Sequence, residues 1–334
     1  MRSSSDFSRI TSGSASDAVL LAVTIPLRYT RTLGRGPALA LAYRVRAIPM
    51  QTTNQTASAP VFATRGPGDK DHEEARRFFS ENGYAIFKNV VSKDRLAALR
   101  TAIIEEFDRS ERSGSLFAGG GRVSGHLNCF PGEESRFAYD TLQERGIIDF
   151  AKAMMRRSPD PLYVGCNLNL PNSVTQHYHV DSAYTEEFMI VNVAVVDTDP
   201  VNGALEVAPG TQRKFYKYWR FALERPYRYG IQLTLAQGDV VVRSSNLWHR
   251  GMPNRSPAPR PMYALTLGDI RAPAPPGDPF RINDGKIMFY PNWFRPNLLG
   301  RLRERTFVAA PITYSGYRFV RSLFGNKGYG NPIP

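Results

Sequence analysis

The spacing of apolar and polar residues changes partway along the chain, from a helical pattern to a strand-like one. Residues 71–83 carry acidic side chains in their first turn and end in Gly83, which predicts a helix. A second helix is predicted after Ser92, a residue suited to the N-cap. Its apolar residues recur at intervals of three and four on one face: Leu96, Leu99, Ile103 and Phe107. Helices are therefore predicted to precede the strands.

From about Tyr163 the pattern becomes one of short β-branched and apolar runs separated by turn residues. The predicted strands lie within residues 162–170, 188–197, 204–210, 231–251 and 261–270. The pair Asn202-Gly203 is typical of a hairpin turn. Strands at this spacing favour an antiparallel sandwich or barrel. The predicted fold class is therefore mainly β with flanking helices.

Composition divides the chain into three segments. Residues 1–70 are predicted to be a disordered or targeting extension with a linker, since residues 50–71 are rich in Thr, Ala, Pro and Gly. Residues 71–290 are predicted to form the main domain. Residues 291–334 are basic and aromatic, and we expect this C-terminal extension to pack on that domain.

The first 49 residues contain seven Arg, seven Ser and no Lys, a composition typical of a mitochondrial transit peptide. The apolar run at residues 18–27 is a weaker candidate for a secretory signal. The preferred interpretation is an upstream mis-start, with Met50 as the true beginning. The predicted location is therefore the cytoplasm, with mitochondria as the alternative.

The net charge and the cysteine content exclude few classes of binding partner. A formal net charge of +13 and a pI near 9.9 favour anionic small molecules, membrane surfaces or nucleic acid. Cys129 and Cys166 provide neither a disulfide framework nor zinc-ligand spacing, which suits a reducing compartment. The chain has no run of about 18 consecutive apolar residues, so no membrane-spanning helix is predicted.

Two histidines and an aspartate alternate in the stretch QHYHVDSAY at residues 176–184. Alternate residues of a strand face the same side, so Asp181 can share a metal with His177 or His179. The chain has five histidines, and His249 is the best placed third ligand because it follows a predicted strand. Two histidines and one carboxylate, with other coordination positions open, are typical of non-haem Fe(II) oxygenases. The sequence therefore predicts an iron site.

A co-substrate site is predicted from the residues around the next strand. An oxygenase of this kind normally uses 2-oxoglutarate, whose distal carboxylate needs a cation. Arg260 lies eleven residues after His249, and a guanidinium binds a carboxylate through two parallel hydrogen bonds. The amides of Gln176, Asn167 and Asn169 are further candidate contacts of the co-substrate. A structural role, with the amide bonded to backbone, is the alternative for each.

Four stretches of the chain occur in the order known from one enzyme family: FSENGYAIF, QHYHVDSAY, NGALEVAPG and GDVVVRSSNLWH. With their flanks they span about residues 73–269, and they resemble the phytanoyl-CoA dioxygenase family of Fe(II)/2-oxoglutarate-dependent oxygenases. The resemblance implies a double-stranded β-helix, a jelly roll of the cupin type. It implies that His179, Asp181 and His249 hold iron. It also implies that Arg260 binds 2-oxoglutarate, and that O2 hydroxylates an unactivated carbon with release of succinate and CO2.

The sequence departs from the family pattern at two places. Thr211-Gln212 stand where the family usually has Ser-His, in a turn. Met262 stands where related oxygenases often have a serine that bonds the distal carboxylate. Asp181 argues against the halogenating relatives, which have a small residue there. His177 is assigned to the shell around the iron, touching substrate or co-substrate or bonding a ligand.

Two basic aromatic tracts bear on the substrate. Residues 213–230 are expected to cover the site and to favour an anionic or sugar-like molecule. Residues 291–334 are suited to an anionic membrane surface. For both tracts the alternative is a solvated basic face over ordinary core aromatics. The predicted substrate is a small anionic or lipid-linked molecule.

Two other functions remain open at this point. One is a cupin-like iron dioxygenase that does not use 2-oxoglutarate, and the other is a non-catalytic β-sandwich binding module. Nucleic acid is not a predicted partner, because the basic residues are dispersed and no recognition motif occurs. The oligomeric state and the identity of the substrate stay open.

Overall fold

A computed structural model of the chain describes residues 61–62, 70–114, 121–271, 274–275, 277–291, 294, 297–308 and 310–324. Most of the predicted N-terminal extension therefore lies outside the described residues. Its predicted role as a transit peptide or a mis-started segment stays a prediction, as does the cytoplasmic location.

The predicted N-terminal helices form, and their apolar faces are buried. The described helices are α1 (Lys70–Asn82), α2 (Lys93–Arg112), α3 (Gly121–Ser124), α4 (Arg136–Glu144), α5 (Ile147–Ala153), α6 (Tyr218–Glu224), α7 (Leu298–Arg303) and α8 (Pro311–Leu323). The four apolar residues predicted to face inward on α2 are all buried. Ser92 takes the N-cap position, but its side chain makes no capping hydrogen bond. The start of α2 therefore depends on packing rather than on that hydroxyl.

The strands form two sheets. They are β1 (Val61–Phe62), β2 (Tyr84–Phe87), β3 (His126–Phe130), β4 (Leu162–Asn169), β5 (Met189–Ala194), β6 (Glu206–Val207), β7 (Ile231–Gln232), β8 (Val240–Ser244), β9 (His249–Arg250), β10 (Arg260–Leu267) and β11 (Met288–Phe289). The large sheet has the order β1-β2-β8-β5-β10-β4-β3-β11, and the small one β7-β6-β9. All described strand pairs are antiparallel except β1 with β2.

The two faces of the large sheet bury different residues. On β10, Tyr263 and Leu265 belong to the main core, which the helices also line. Met262 points the other way, into a smaller core that it shares with Val207 and Ile231 of the small sheet. Successive side chains of β10 are therefore buried in two different cores, because side chains of a strand alternate between the two faces of the sheet. The predicted jelly-roll fold class, mainly β with flanking helices, is confirmed.

Both ends of the described chain contribute to the fold. Val61–Phe62, within the predicted linker, pair with Ile86 and Phe87 of β2. At the other end, α8 packs against α6 and buries Ser322. No described helix has both the length and the apolar character needed to cross a membrane. The predicted domain boundaries at residues 70 and 290 stay a prediction.

Gly238, in the turn before β8, is a position where a side chain has no room. Its φ is +91°, and a Cβ there would lie 2.4 Å from the Val91 carbonyl oxygen. Gly238→Ala is expected to lower the free energy of unfolding by about 3 kcal/mol, because it adds a clash to backbone strain. Urea denaturation measures the loss. The control is Gly114→Ala at φ +72°, where no atom lies within 4 Å of the added Cβ. Gly114→Ala should lower the free energy of unfolding by about 1 kcal/mol. If both variants lost the same stability, the proposed clash at Gly238 would be contradicted.

Candidate metal centre and co-substrate site

The segment that carries the alternating histidines and aspartate lies beside the strand that carries His249. The His179 N–H donates to the His249 carbonyl, and the His249 N–H to the His179 carbonyl, both at 3.0 Å. The Asp181 N–H donates to the Ser245 carbonyl at 2.9 Å. The segment is not the regular strand that was predicted, since His179 forms only an isolated bridge. Antiparallel pairing nevertheless brings His179 and Asp181 opposite His249.

Three side chains converge at this pairing: His179, Asp181 and His249. One potential ligand atom from each lies within 4.8 Å of the others. Asp181 Oδ1 is 3.9 Å from His179 Nε2, and Asp181 Oδ2 is 3.5 Å from His249 Nε2. The two imidazole centroids are 4.4 Å apart. Two imidazole nitrogens and a carboxylate gathered this closely fit a single metal ion.

Both imidazoles are oriented by the backbone carbonyl two residues earlier. The Nδ1–H of His179 donates to the His177 carbonyl at 2.9 Å. The Nδ1–H of His249 donates to the Leu247 carbonyl at 2.8 Å. With Nδ1 protonated, each ring keeps its lone pair on Nε2, the nitrogen on the Asp181 side. The tautomer that the site needs is therefore set by the main chain.

The charge states of the three side chains also suit a metal. Burial lowers the pKa of His249 to about 3, and Arg243 contributes to the shift. Burial also lowers the pKa of His179. For Asp181 burial acts in the opposite direction, but the attraction of its neighbours, the Arg243 guanidinium among them, outweighs it and holds the carboxyl pKa below its usual range. Neutral imidazoles and an ionised carboxylate are the forms that bind a cation.

Arg243 of β8 is a neighbour of the site that the sequence analysis missed. Its Nη1 donates to Asp181 Oδ2 at 2.7 Å, and its Nε to Asn192 Oδ1 at 3.2 Å. The guanidinium thus engages one carboxylate oxygen of Asp181 and orients the group. The available signal was a charged residue inside the apolar run of β8, but its partner lies 62 residues away.

Arg260, the predicted co-substrate residue, begins β10 and is 5 % exposed. Its Nη2 donates to the Gly203 carbonyl at 2.9 Å. Burial lowers its pKa to about 10, so the guanidinium stays charged at neutral pH. Among the described residues it forms no ion pair with a carboxylate. A buried cation without a counter-charge is costly, and an anionic ligand would relieve that cost.

Two amides predicted to contact the co-substrate are bonded to backbone. Gln176 Oε1 accepts a hydrogen bond from the Gly251 N–H at 2.9 Å. Asn167 Nδ2 donates to the Leu127 carbonyl at 3.1 Å. Both amides therefore have structural partners already, and their contact with co-substrate stays a prediction.

Asn169, the third candidate amide, lies next to Arg260, the residue predicted to bind the distal carboxylate of the co-substrate. It is buried and pairs directly with Arg260 between β4 and β10. Its Nδ2 donates to the Met252 carbonyl at 3.0 Å, in the loop after β9. Met262, two residues along β10, is buried in the smaller core and offers no hydrogen-bond donor.

His177 lies beside the metal-binding candidates and is covered by the C-terminal helix. Its ring centroid is 5.3 Å from that of His179 and 4.5 Å from that of Tyr314 on α8. Arg318, on the same helix, donates from Nη1 to the Tyr178 carbonyl at 2.8 Å. The predicted C-terminal extension therefore reaches the site. These contacts could not be predicted from the sequence because they join residues as far as 140 positions apart.

Residues 213–230, which were expected to cover the site, pack next to Trp248. The Phe221 ring stacks on Trp248 with centroids 3.9 Å apart, and both residues are buried. Phe221 and Tyr218 of this tract thus form core, whereas Tyr227 and Tyr229 are exposed, and the covering role of the tract stays a prediction. Thr211, in the turn that departs from the family pattern, accepts a hydrogen bond from the Trp248 N–H at 3.1 Å. That turn therefore positions the residue just before His249.

Comparison with protein families gives one match that spans more than half of the chain. The family model described as phytanoyl-CoA dioxygenase matches residues 79–262. The match includes all three converging side chains and Arg260.

Several solved structures are similar in parts. AviO1 from Streptomyces viridochromogenes Tue57 is 21% identical, with 61% of this chain and 98% of that chain covered and a TM-score of 0.47. The non-heme alpha ketoglutarate dependent carbocyclase SnoK from nogalamycin biosynthesis is 19% identical, with 65% and 92% covered and a TM-score of 0.46. EvdO2 from Micromonospora carbonacea var. aurantiaca, complexed with 2-oxoglutarate, is 19% identical, with 62% and 93% covered and a TM-score of 0.42. All three TM-scores are below 0.5, so the assignment rests on the family match.

Proposed function

Because the chain belongs to the phytanoyl-CoA dioxygenase family, we propose that it hydroxylates an unactivated carbon of a small anionic or lipid-linked molecule. The observation that carries this proposal is the convergence of His179, Asp181 and His249, with the carboxylate retained. The buried Arg260, without a carboxylate partner among the described residues, supports the use of a dicarboxylate co-substrate.

The broader class follows from family membership. The chain is an Fe/2-oxoglutarate-dependent oxygenase, and the predicted iron and 2-oxoglutarate are confirmed. Together with O2 they supply the oxidation, in which 2-oxoglutarate is converted to succinate and CO2. No feature of the site favours either alternative, a dioxygenase without 2-oxoglutarate or a binding module.

Three side chains would hold the iron: His179 and His249 through Nε2, and Asp181 through its carboxylate. The backbone carbonyls that accept from both Nδ1–H groups keep each Nε2 unprotonated and aimed at Asp181. Arg243 fixes the carboxylate by donating to Oδ2. The chain thus orients all three donors before any ligand arrives, which reduces the ordering cost of binding.

Arg260 would bind the distal carboxylate of 2-oxoglutarate. The Gly203 carbonyl fixes the guanidinium through Nη2, so the cation is already oriented. Its burial excludes water from the ion pair that would form, which strengthens the attraction. Because Met262 provides no hydroxyl, the guanidinium would carry this contact without the second donor that related oxygenases use.

Hydroxylation is proposed over halogenation because of Asp181. The halogenating relatives have a small residue at this position, which leaves room for halide beside the metal. In this chain the position is filled by a carboxylate that Arg243 holds in place at 2.7 Å. Halide would therefore have to displace a fixed, charged ligand.

An anionic substrate is proposed because three arginines contact the segment that carries the metal-binding candidates. Arg243 bonds the Asp181 side chain, Arg271 the Asp181 carbonyl and Arg318 the Tyr178 carbonyl. They come from three separate parts of the chain. Their positive potential, reduced where Arg243 pairs with Asp181 and Arg271 with Asp269, would raise the local concentration of anions at the site.

Turnover with a substrate panel tests the proposed function. Purified protein with Fe(II), 2-oxoglutarate and O2 should release succinate and add one oxygen atom to an anionic or lipid-linked substrate, as mass spectrometry would show. The same mixture with a chelator in place of Fe(II) is the control. Succinate release with a product that gains halogen, or no oxygen, would overturn hydroxylation. An absence of succinate across the panel would overturn the catalytic proposal as a whole.

A further inference from the structure

The C-terminal helix α8 is oriented with its polar residues toward the protein. Arg318 and Ser322 are buried, and they lie one turn apart on one side of the helix. Arg318 bonds the Tyr178 carbonyl, and the Ser322 hydroxyl accepts from the Trp219 N–H at 2.9 Å. The inward face of α8 is therefore held by polar contacts and cation–π contacts with rings such as that of Tyr218, 4.4 Å away.

The opposite face of α8 is apolar and points to solvent. Ile312 is 82% exposed and Phe324, just after the helix, 88% exposed, while Val320 and Leu323 are at least half exposed. At about 100° per residue these four side chains fall within an arc of roughly 120°. A surface helix normally buries such an arc. The polarity of α8 is thus reversed relative to that of an ordinary surface helix.

The rest of the C-terminal segment also exposes apolar side chains to solvent. Short helix α7 exposes Leu298, Leu299 and Leu302. More than half of the exposed large apolar side chains in the described part of the chain lie between residues 298 and 324. Elsewhere in that part they occur singly or in small groups, as on most soluble proteins.

The exposed charged residues next to these apolar side chains are all positive. Arg301, Arg305 and Arg321 are exposed, whereas Glu304, the one acid after Asp284 in the sequence, is buried. A surface that combines leucine, isoleucine and phenylalanine with arginine complements an anionic bilayer, which offers both an apolar interior and negative headgroups.

We propose that α7 and α8 form a docking surface for an anionic lipid bilayer, with Ile312, Val320, Leu323 and Phe324 entering the acyl boundary and the arginines contacting headgroups. The inward face of α8 contacts His177 through Tyr314, so the bilayer would lie on the far side of the helix that covers the site. This inference concerns attachment and does not depend on the proposed reaction.

Vesicle co-sedimentation with the full chain tests the docking surface. Wild-type protein should bind phosphatidylserine-containing vesicles and bind pure phosphatidylcholine vesicles more weakly. A double variant, Ile312→Gln with Leu323→Gln, keeps the net charge and removes two apolar side chains from the face. It should lower binding to the anionic vesicles by about ten-fold or more.

The matched control is Val201→Gln with Ile270→Gln, which changes two residues that are 57% and 55% exposed outside the C-terminal segment. It should bind anionic vesicles as the wild type does. Equal binding by both double variants would show that charge alone attracts the basic chain, and would overturn the proposal. So would a wild-type chain that does not sediment. A dimer that the Ile312/Leu323 variant abolishes, seen by light scattering without vesicles, would assign the face to a second copy instead.

Discussion

Replacing His179 with alanine is expected to abolish iron-dependent succinate release and to weaken Fe(II) binding by more than about 100-fold. The change removes one of two imidazole donors from a set of three, and outer-shell changes alone typically cost 10–100-fold in metal affinity. Anaerobic titration with Fe(II) and 2-oxoglutarate measures the loss, through the charge-transfer absorption that forms when both are bound.

His177→Ala is the matched control, because it removes an imidazole two residues away and keeps the backbone carbonyl that orients His179. We expect Fe(II) affinity within about ten-fold of the wild type, since only a neighbouring ring is lost. If the His177 variant loses the absorption and the His179 variant retains it, the two histidines have been assigned the wrong way round.

Replacing Arg260 with leucine is expected to raise the Kd for 2-oxoglutarate by about 30-fold or more. Truncating one partner of a buried, hydrogen-bonded charge pair costs about 2–5 kcal/mol, and each 1.4 kcal/mol is a factor of ten. Arg260→Lys should be intermediate, since it keeps the charge and loses the two-pronged hydrogen bond. Isothermal titration of the anaerobic iron-loaded protein measures the change.

Two measurements separate loss of the co-substrate contact from general damage. Fe(II) binding without 2-oxoglutarate should remain within about two-fold in the Arg260 variants, because Arg260 is not a candidate ligand. Arg255→Leu, a change at an exposed arginine in the loop just before β10, should leave the Kd for 2-oxoglutarate unchanged. An unchanged Kd in Arg260→Leu would show that another cation binds the distal carboxylate.

The strands of the large sheet were predictable because local sequence carries the information that forms them. The stretches around β4, β5, β8 and β10 are runs of β-branched and apolar residues ended by glycine, proline or asparagine. The three converging side chains were predictable for a related reason. His249 follows closely after the apolar strand β8, and His179 and Asp181 are two residues apart in the sequence.

The contacts around those side chains were not predictable, because they join residues that are distant in the chain. Arg243 resembles any charged residue inside a strand until folding brings Asp181 to it. Tyr314 and His177 meet only because α8 docks on the domain. The orientation of α8 is also a tertiary property: its sequence shows two faces, and only packing decides which of them is buried. Long-range pairing of this kind leaves no local period in a single sequence.

The backbone carbonyls that bond the two Nδ1–H groups have a consequence for how the site tolerates change. In many metal sites the partner of the ligating histidine is a side chain, which a substitution can remove. Here both partners are main-chain oxygens, of His177 and Leu247. The side chain of His177 can therefore change while the imidazole tautomers are retained, whereas the Leu247 side chain is confined by its burial in the smaller core. The region next to the iron ligands can thus acquire a new substrate preference by mutation without losing its metal.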